Sequence, residues 1–151
     1  MSPARLAAIP LLLLSATTWA ADVSGLWLGE YHYPNDSQPP VPFSLVIREQ
    51  NGLFTGREIE PNTFGDAKAD LLGALIVGEV TGAQVHFFKK YDGSGGVSHV
   101  VAYTGTLDAK GKLSGTWNLG PGITGAFSMA RADQSAPAAA PADGGKTMSN
   151  F

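Results

Sequence analysis

The sequence predicts an all-β protein, an antiparallel up-and-down barrel of about eight strands, on three observations. After residue 20, apolar residues alternate with polar ones over short runs, the period of a half-buried strand. Glycines punctuate these runs, and nearly all the connections they mark are short enough for hairpins. The chain has no cysteine, so core burial and ladder hydrogen bonds must hold it, and closing the sheet removes its exposed edges. A two-sheet sandwich is the competing architecture, but it calls for longer connections of Greek-key type.

Residues 24–33 (SGLWLGEYHY) read as the first strand, with Gly25, Trp27, Gly29, Tyr31 and Tyr33 on one face. Residues 34–40 form a loop broken by Pro34, Asn35, Asp36, Pro39 and Pro40. Residues 41–50 are the second strand, with Val41, Phe43, Leu45 and Ile47 on one face. Asn51-Gly52 is the strongest hairpin signal, because both residues tolerate the positive φ of a type I′ turn. Residues 53–60 return as the third strand. Residues 61–70 make a longer loop, in which Asp66 is placed to cap a turn or two of helix over 66–72.

Residues 72–80 and 83–92 are the fourth and fifth strands; the latter sets Val85, Phe87, Lys89 and Tyr91 against Gln84, His86, Phe88 and Lys90. After the turn Gly93-Ser94-Gly95-Gly96, residues 97–107 carry Val97, His99, Val101, Tyr103 and Gly105 on one face of the sixth strand. Residues 112–119 and 123–131 complete the series, the last with Gly125, Phe127, Met129 and Arg131 on one face. Glycines inside the strands, such as Gly29, Gly56, Gly105, Gly115 and Gly125, suit tight coiling and leave room for a cavity.

The barrel is expected over residues 21–131. Residues 1–20 have the order of an export signal: Arg5, an apolar run over 6–14, then small residues at Thr18 and Ala20. The run is too short to span a bilayer, so the mature chain is expected in the periplasm or secreted. Residues 132–151, rich in Ala and Pro, read as a disordered tail. The formal net charge is −3 with signs interspersed. No basic run points to nucleic acid, and no membrane span is expected.

Gly25-Leu26-Trp27 on the first strand, with Arg131 ending the last, resembles the calycin superfamily of lipocalins, fatty-acid-binding proteins and avidins. The resemblance implies a closed barrel in which the guanidinium of Arg131 packs over Trp27. The pattern is most similar to avidin-like barrels, through Phe54-Thr55-Gly56, Lys90-Tyr91, Tyr103-Thr104-Gly105 and Gly115-Thr116-Trp117-Asn118-Leu119. The biotin-binding residues of that family do not carry over. Gly29 stands where an avidin has asparagine, Glu58 where it has tyrosine, and the last strand has no aspartate. A site built on matched polar groups loses on the order of 1–3 kcal/mol for each one unmatched, so biotin is not the expected ligand. Many avidin-like barrels assemble through a sheet face, and a homo-oligomer through outward residues such as Val46, Ile76, Phe88 and Val100 is an open expectation.

The candidate ligand-binding residues are Tyr31, Tyr33, Glu58, Phe87, Tyr91, His99, Tyr103 and Trp117, mostly aromatic with few polar groups among them. They point to a small apolar or aromatic ligand and to a binding protein rather than an enzyme. Glu58 and Glu60 share one face of the third strand, against Leu53, Thr55, Arg57 and Ile59 on the other. Periodicity leaves open which face is inward. If the glutamates are inside, Lys89 and Tyr91 are their partners, since buried charges need pairing. Two other functions compete: an interaction or inhibitor module acting through loops 34–40 and 61–70, and an enzyme using Glu58, Glu60, His99 and Tyr91 as acid–base residues. The three histidines have no metal-ligand spacing, and no nucleophile elbow, P-loop or dinucleotide motif is present. Neither metal nor cofactor is expected.

Overall fold

A computed structural model describes residues 21–135; the expected export signal and the tail beyond residue 135 lie outside the described residues. The alternating runs form β1 Gly25–Tyr31, β2 Val41–Gln50, β3 Leu53–Pro61, β4 Leu71–Thr81, β5 Gln84–Tyr91, β6 Val100–Leu107, β7 Lys112–Gly120 and β8 Ile123–Arg131. Each strand pairs antiparallel with the next, and β8 pairs back onto β1, so the sheet is the closed up-and-down barrel that the alternation predicts. Ala132–Ser135 add one helical turn after β8.

Turn chemistry sets the two ends apart. The end that holds the closure of β8 on β1 has tight hairpins. Asn51 and Gly52 take φ of 56° and 81°, the type I′ conformation that matches the twist of β2 and β3. The opposite end carries the longer connections β1–β2, β3–β4 and β5–β6. The helix expected over 66–72 does not form. Residues 66–69 close one turn, Ala69 N–H donating to Asp66 O at 3.2 Å, and β4 begins at Leu71. Five residues between Gly65 and β4 are too few to repay helix nucleation.

Inside, β2 buries Val41, Phe43, Leu45 and Ile47 as its alternation requires. β3 turns Phe54, Glu58 and Glu60 inward and leaves Thr55, Arg57 and Ile59 in solvent. Trp27 is fully buried, and the Arg131 guanidinium carbon lies 5.1 Å from its ring centroid. Arg131 Nη1 and Nη2 donate to the carbonyls of Ser24 and Asp22, so one side chain joins the last strand to the chain entering the first.

The strand glycines do not leave the cavity expected of them. Gly105 and Gly115 face each other across β6 and β7. A Cβ on Gly115 would lie 2.0 Å from Thr104 O, and one on Gly105 2.9 Å from the Phe127 ring. At Gly29 the space belongs to Met129 and Phe43, whose atoms lie 2.5 Å and 2.6 Å from where a Cβ would stand. Gly115 admits the backbone of β6, and Gly29 and Gly105 admit neighbouring side chains, which fill the space.

On the outer surface Val46, Phe88 and Val100 are exposed as expected. Ile76 is not: its register opposite Gly56 and Lys89 puts it on the inner face, where it is buried. Leu75 and Val77, its neighbours in β4, take the outer positions instead. Among the described residues no helix is long and apolar enough to cross a membrane.

Candidate functional site

Glu58 and Glu60 enter the barrel from alternate positions of β3, and Lys89 reaches them from β5 across the intervening β4. Lys89 Nζ donates to Glu58 Oε1 at 2.6 Å and to Glu60 Oε2 at 2.5 Å, and all three side chains are sealed from solvent. Glu60 Oε1 accepts two further bonds, from the hydroxyls of Tyr91 at 2.6 Å and Tyr31 at 3.3 Å. The ammonium also lies 4.6 Å from the Tyr91 ring centroid and 5.2 Å from that of Tyr31. The alternation left the direction of β3 open; the buried ammonium is the partner that makes its acidic face tenable inside.

Two carboxylates against one ammonium leave a surplus negative charge, and the cluster answers by holding a proton. Burial pushes the Glu58 carboxyl up to about 7, with the Glu60 charge adding to the rise and Lys89 opposing it. Burial raises Tyr31, Tyr91 and Tyr103 well above the ordinary phenol range, and Glu60 adds to this, so all three keep their protons, which Tyr31 and Tyr91 donate to Glu60.

The rings of Tyr31 and Tyr91, whose hydroxyls hold Glu60, are also walls of a depression of about 70 Å³ at the long-loop end. Tyr103 and Trp117 border it from β6 and β7, and Tyr33, His99 and Phe64 from the connections between strands. Tyr31, Tyr33 and Trp117 meet edge to face in all three pairings, with centroids 5.7–6.2 Å apart and interplanar angles of 70–80°. Trp117 is fixed by its Nε1–H, which donates to His32 O at 3.0 Å. Opposite, Phe64 stands at 88° to Tyr91, and its centroid lies 5.9 Å from that of His99. Burial and the Lys89 charge lower the His99 pKa, which favours the neutral ring.

Six of the eight predicted site residues, Tyr31, Tyr33, Tyr91, His99, Tyr103 and Trp117, therefore converge on one mouth. Two do not. Glu58 lies in the ion cluster behind the aromatic walls, and Phe87 is core, stacked on Tyr103 at 4.6 Å with Phe127 edge-on to both. Of the four residues of the enzyme reading, Glu58, Glu60 and Tyr91 join one network, while His99 meets the Tyr91 ring at 4.8 Å between centroids.

Phe64 is the mouth residue that alternation could not find, because it sits in a loop without period. Its neighbour Asn62 places it: Asn62 Nδ2 donates to Asp66 O and Ala69 O, each at 2.8 Å, and Oδ1 accepts from Gly65 N–H at 2.7 Å. Asp66 N–H then ties this loop to Gly95 O of the β5–β6 connection at 2.6 Å. An Asn two residues before an aromatic one, in a loop too short for its own core, was the available signal.

No protein-family model matches this chain, and no curated protein matches it.

Proposed function

We propose that this barrel is a binding protein, not an enzyme, and that its aromatic mouth receives one small apolar or aromatic group of a ligand. The reading rests on a single observation, the convergence of Tyr31, Tyr33, Phe64, Tyr91, Tyr103 and Trp117 on one depression. Its volume of about 70 Å³ is far below the roughly 300 Å³ at which whole-ligand pockets begin. A compact terminal group enters, and the rest of the ligand stays outside. The buried acids support binding over catalysis, since Glu58 and Glu60 are both bonded to Lys89 behind the ring walls. The avidin-like resemblance belongs to the same proposal, supported by the closed meander and the Trp27–Arg131 contact. Gly29, enclosed by Phe43 and Met129, leaves no room for the asparagine a biotin site uses.

The test is titration of the full chain with two neutral compounds, phenol and 3,3-dimethylbutan-1-ol, observed by proton NMR. Binding in the mouth shifts the aromatic signals of Tyr33 and Trp117, and Trp117→Ala abolishes the shifts. If neither compound nor any charged analogue perturbs those signals, the mouth is not a ligand site.

A second reading has its own observation. The outer face exposes Val46 on β2, and Leu75, Val77 and Phe88 on the neighbouring strands β4 and β5, the last two about 60% accessible, with Thr55 and Arg57 of β3 between them and Val46. We propose association of copies through this face as the alternative, tested by sedimentation of the chain and of Phe88→Glu. A monomer at all concentrations rejects it.

A further inference from the structure

The mouth holds one polar group that the protein itself does not use. Four tyrosines line it: Tyr31, Tyr33, Tyr91 and Tyr103. The hydroxyls of Tyr31 and Tyr91 donate to Glu60 Oε1, and the Tyr33 hydroxyl acts on that of Tyr31. Tyr103 is different. Its ring is fixed in the core, stacked on Phe87 at an interplanar angle of 9° with Phe127 edge-on, and only 5% of the residue is exposed. Among the described residues its contacts are with rings, and no hydrogen bond engages its hydroxyl. The oxygen is not sealed, because every fully buried side-chain nitrogen or oxygen of the described residues has a partner. The opening that reaches it is the mouth, of which Tyr103 is a wall. Burial, with Glu58 and Glu60 behind it, keeps the proton on this hydroxyl, so it presents a donor. The other donor nearby, Trp117 Nε1–H, is already given to His32 O.

We propose that the compact group received by the mouth carries a neutral acceptor oxygen, as a ketone carbonyl does, and that the Tyr103 hydroxyl donates to it. This rests on the reading of the mouth as a ligand site and names the chemistry of what enters. A group of hydrocarbon alone would cover the hydroxyl and cut it off from water without replacing the bond, which a binding site can ill sustain. The rings take the apolar body of the group, and Tyr103 takes its oxygen.

A charged head of either sign fits less well. Besides the rings and the exposed His99 imidazole, the lining is Val101, Leu119 and Ile123, without a basic or acidic side chain. Behind the walls, with Glu58 holding its proton, one carboxylate and one ammonium remain, and these are bonded to each other. An ion entering the mouth would give up its water and meet no opposite charge left to pair with.

The experiment compares cyclopentanone with methylenecyclopentane, in which a carbon replaces the carbonyl oxygen, by proton NMR titration of the full chain and of Tyr103→Phe. The signals of Tyr33 and Trp117 report occupancy. In the wild type the ketone is expected to bind at least as tightly as the alkene, although water holds the ketone better. Tyr103→Phe is expected to weaken the ketone about tenfold and to leave the alkene within about twofold. It should also keep the wild-type Tm, because the lost hydroxyl bonds no protein group. A lower Tm overturns the proposal, since the hydroxyl then has a partner inside the barrel. A ketone bound equally by both proteins, or an alkene or phenol bound more tightly than the ketone by the wild type, overturns it too and leaves the mouth a ligand site. If the ketone, the alkene and phenol all leave the Tyr33 and Trp117 signals unmoved, this assignment and the reading of the mouth fall together. The wild-type comparison decides the matter even if Tyr103→Phe does not fold.

Discussion

Lys89 Nζ donates to Glu58 Oε1 at 2.6 Å across the barrel interior, although β3 and β5 are never neighbours in the sheet. The bond is a strut beneath β4, and it brings a formal charge to the centre of a core that is otherwise apolar and aromatic. Lys89→Met should expose what this costs. The variant leaves two carboxyl groups facing each other with no cation, and breaking a buried pair from one side costs on the order of 3–5 kcal/mol. The loss should be largest near pH 8 and shrink toward pH 5, where both carboxyls can take protons. Urea unfolding of both proteins at the two pH values measures it; equal losses at both would show that packing, not charge, is what Lys89 supplies.

Glu58 itself gives the wild-type barrel an unusual pH profile. Its carboxyl titrates near 4.5 when unfolded and about 7 when folded. Between those values the folded state holds more protons than the unfolded one, so stability falls as pH rises. The contribution is fully present below the unfolded pKa and gone above the folded one, with a size on the order of 3 kcal/mol. Thermal unfolding from about pH 5 to about pH 8 should therefore show a declining Tm, and Glu58→Gln should remove most of the slope. A profile that is flat in the wild type, or identical in the variant, would show that Glu58 holds no proton in the folded barrel.

Much of this was legible in the chain, for reasons that differ by strand. β2 declares its inward face because Val41, Phe43, Leu45 and Ile47 fall at one parity, against Val46 alone among its aliphatic side chains at the other, and its turn, Asn51-Gly52, has one good conformation. β3 does not, because it carries Arg57 at one parity and Glu58 and Glu60 at the other, so both faces look half polar. What decides it is Lys89, two strands away and reached only through closure of the barrel. The core's fullness was also hidden. Glycine in a strand reads as empty space, whereas the register places the ring of Phe127 against Gly105 and Met129 against Gly29. Phe64 was out of reach because loop residues have no period to betray their direction.

Closure gives a third prediction. Arg131 stacks over Trp27 and binds two carbonyls, a geometry that a planar, forked guanidinium satisfies and a single ammonium does not. Arg131→Lys should lose about 1–3 kcal/mol, roughly what Arg131→Ala loses, because the charge survives but the paired bonds do not. Denaturant unfolding measures the losses, and the buried Trp27 ring reports loosening of the β1–β8 seam by near-ultraviolet circular dichroism. A lysine variant as stable as the wild type would mean that charge alone closes the barrel.

Asn62 supplies the last prediction, because it separates the mouth from the barrel. Its amide makes three bonds, all within the β3–β4 loop, and none reaches a strand interior. Asn62→Ala should therefore cost the global fold little, on the order of 1 kcal/mol, since each bond is partly replaced by water once the loop opens. The local effect should be larger. Phe64 loses the turn that holds it across Tyr91 and His99, so the amides of Gly65 and Asp66 should exchange at least tenfold faster while those of β5 keep their protection. Hydrogen exchange measured by NMR resolves the two regions. If β5 loosens together with the loop, the mouth is not an independent element and Phe64 is part of the cooperative core.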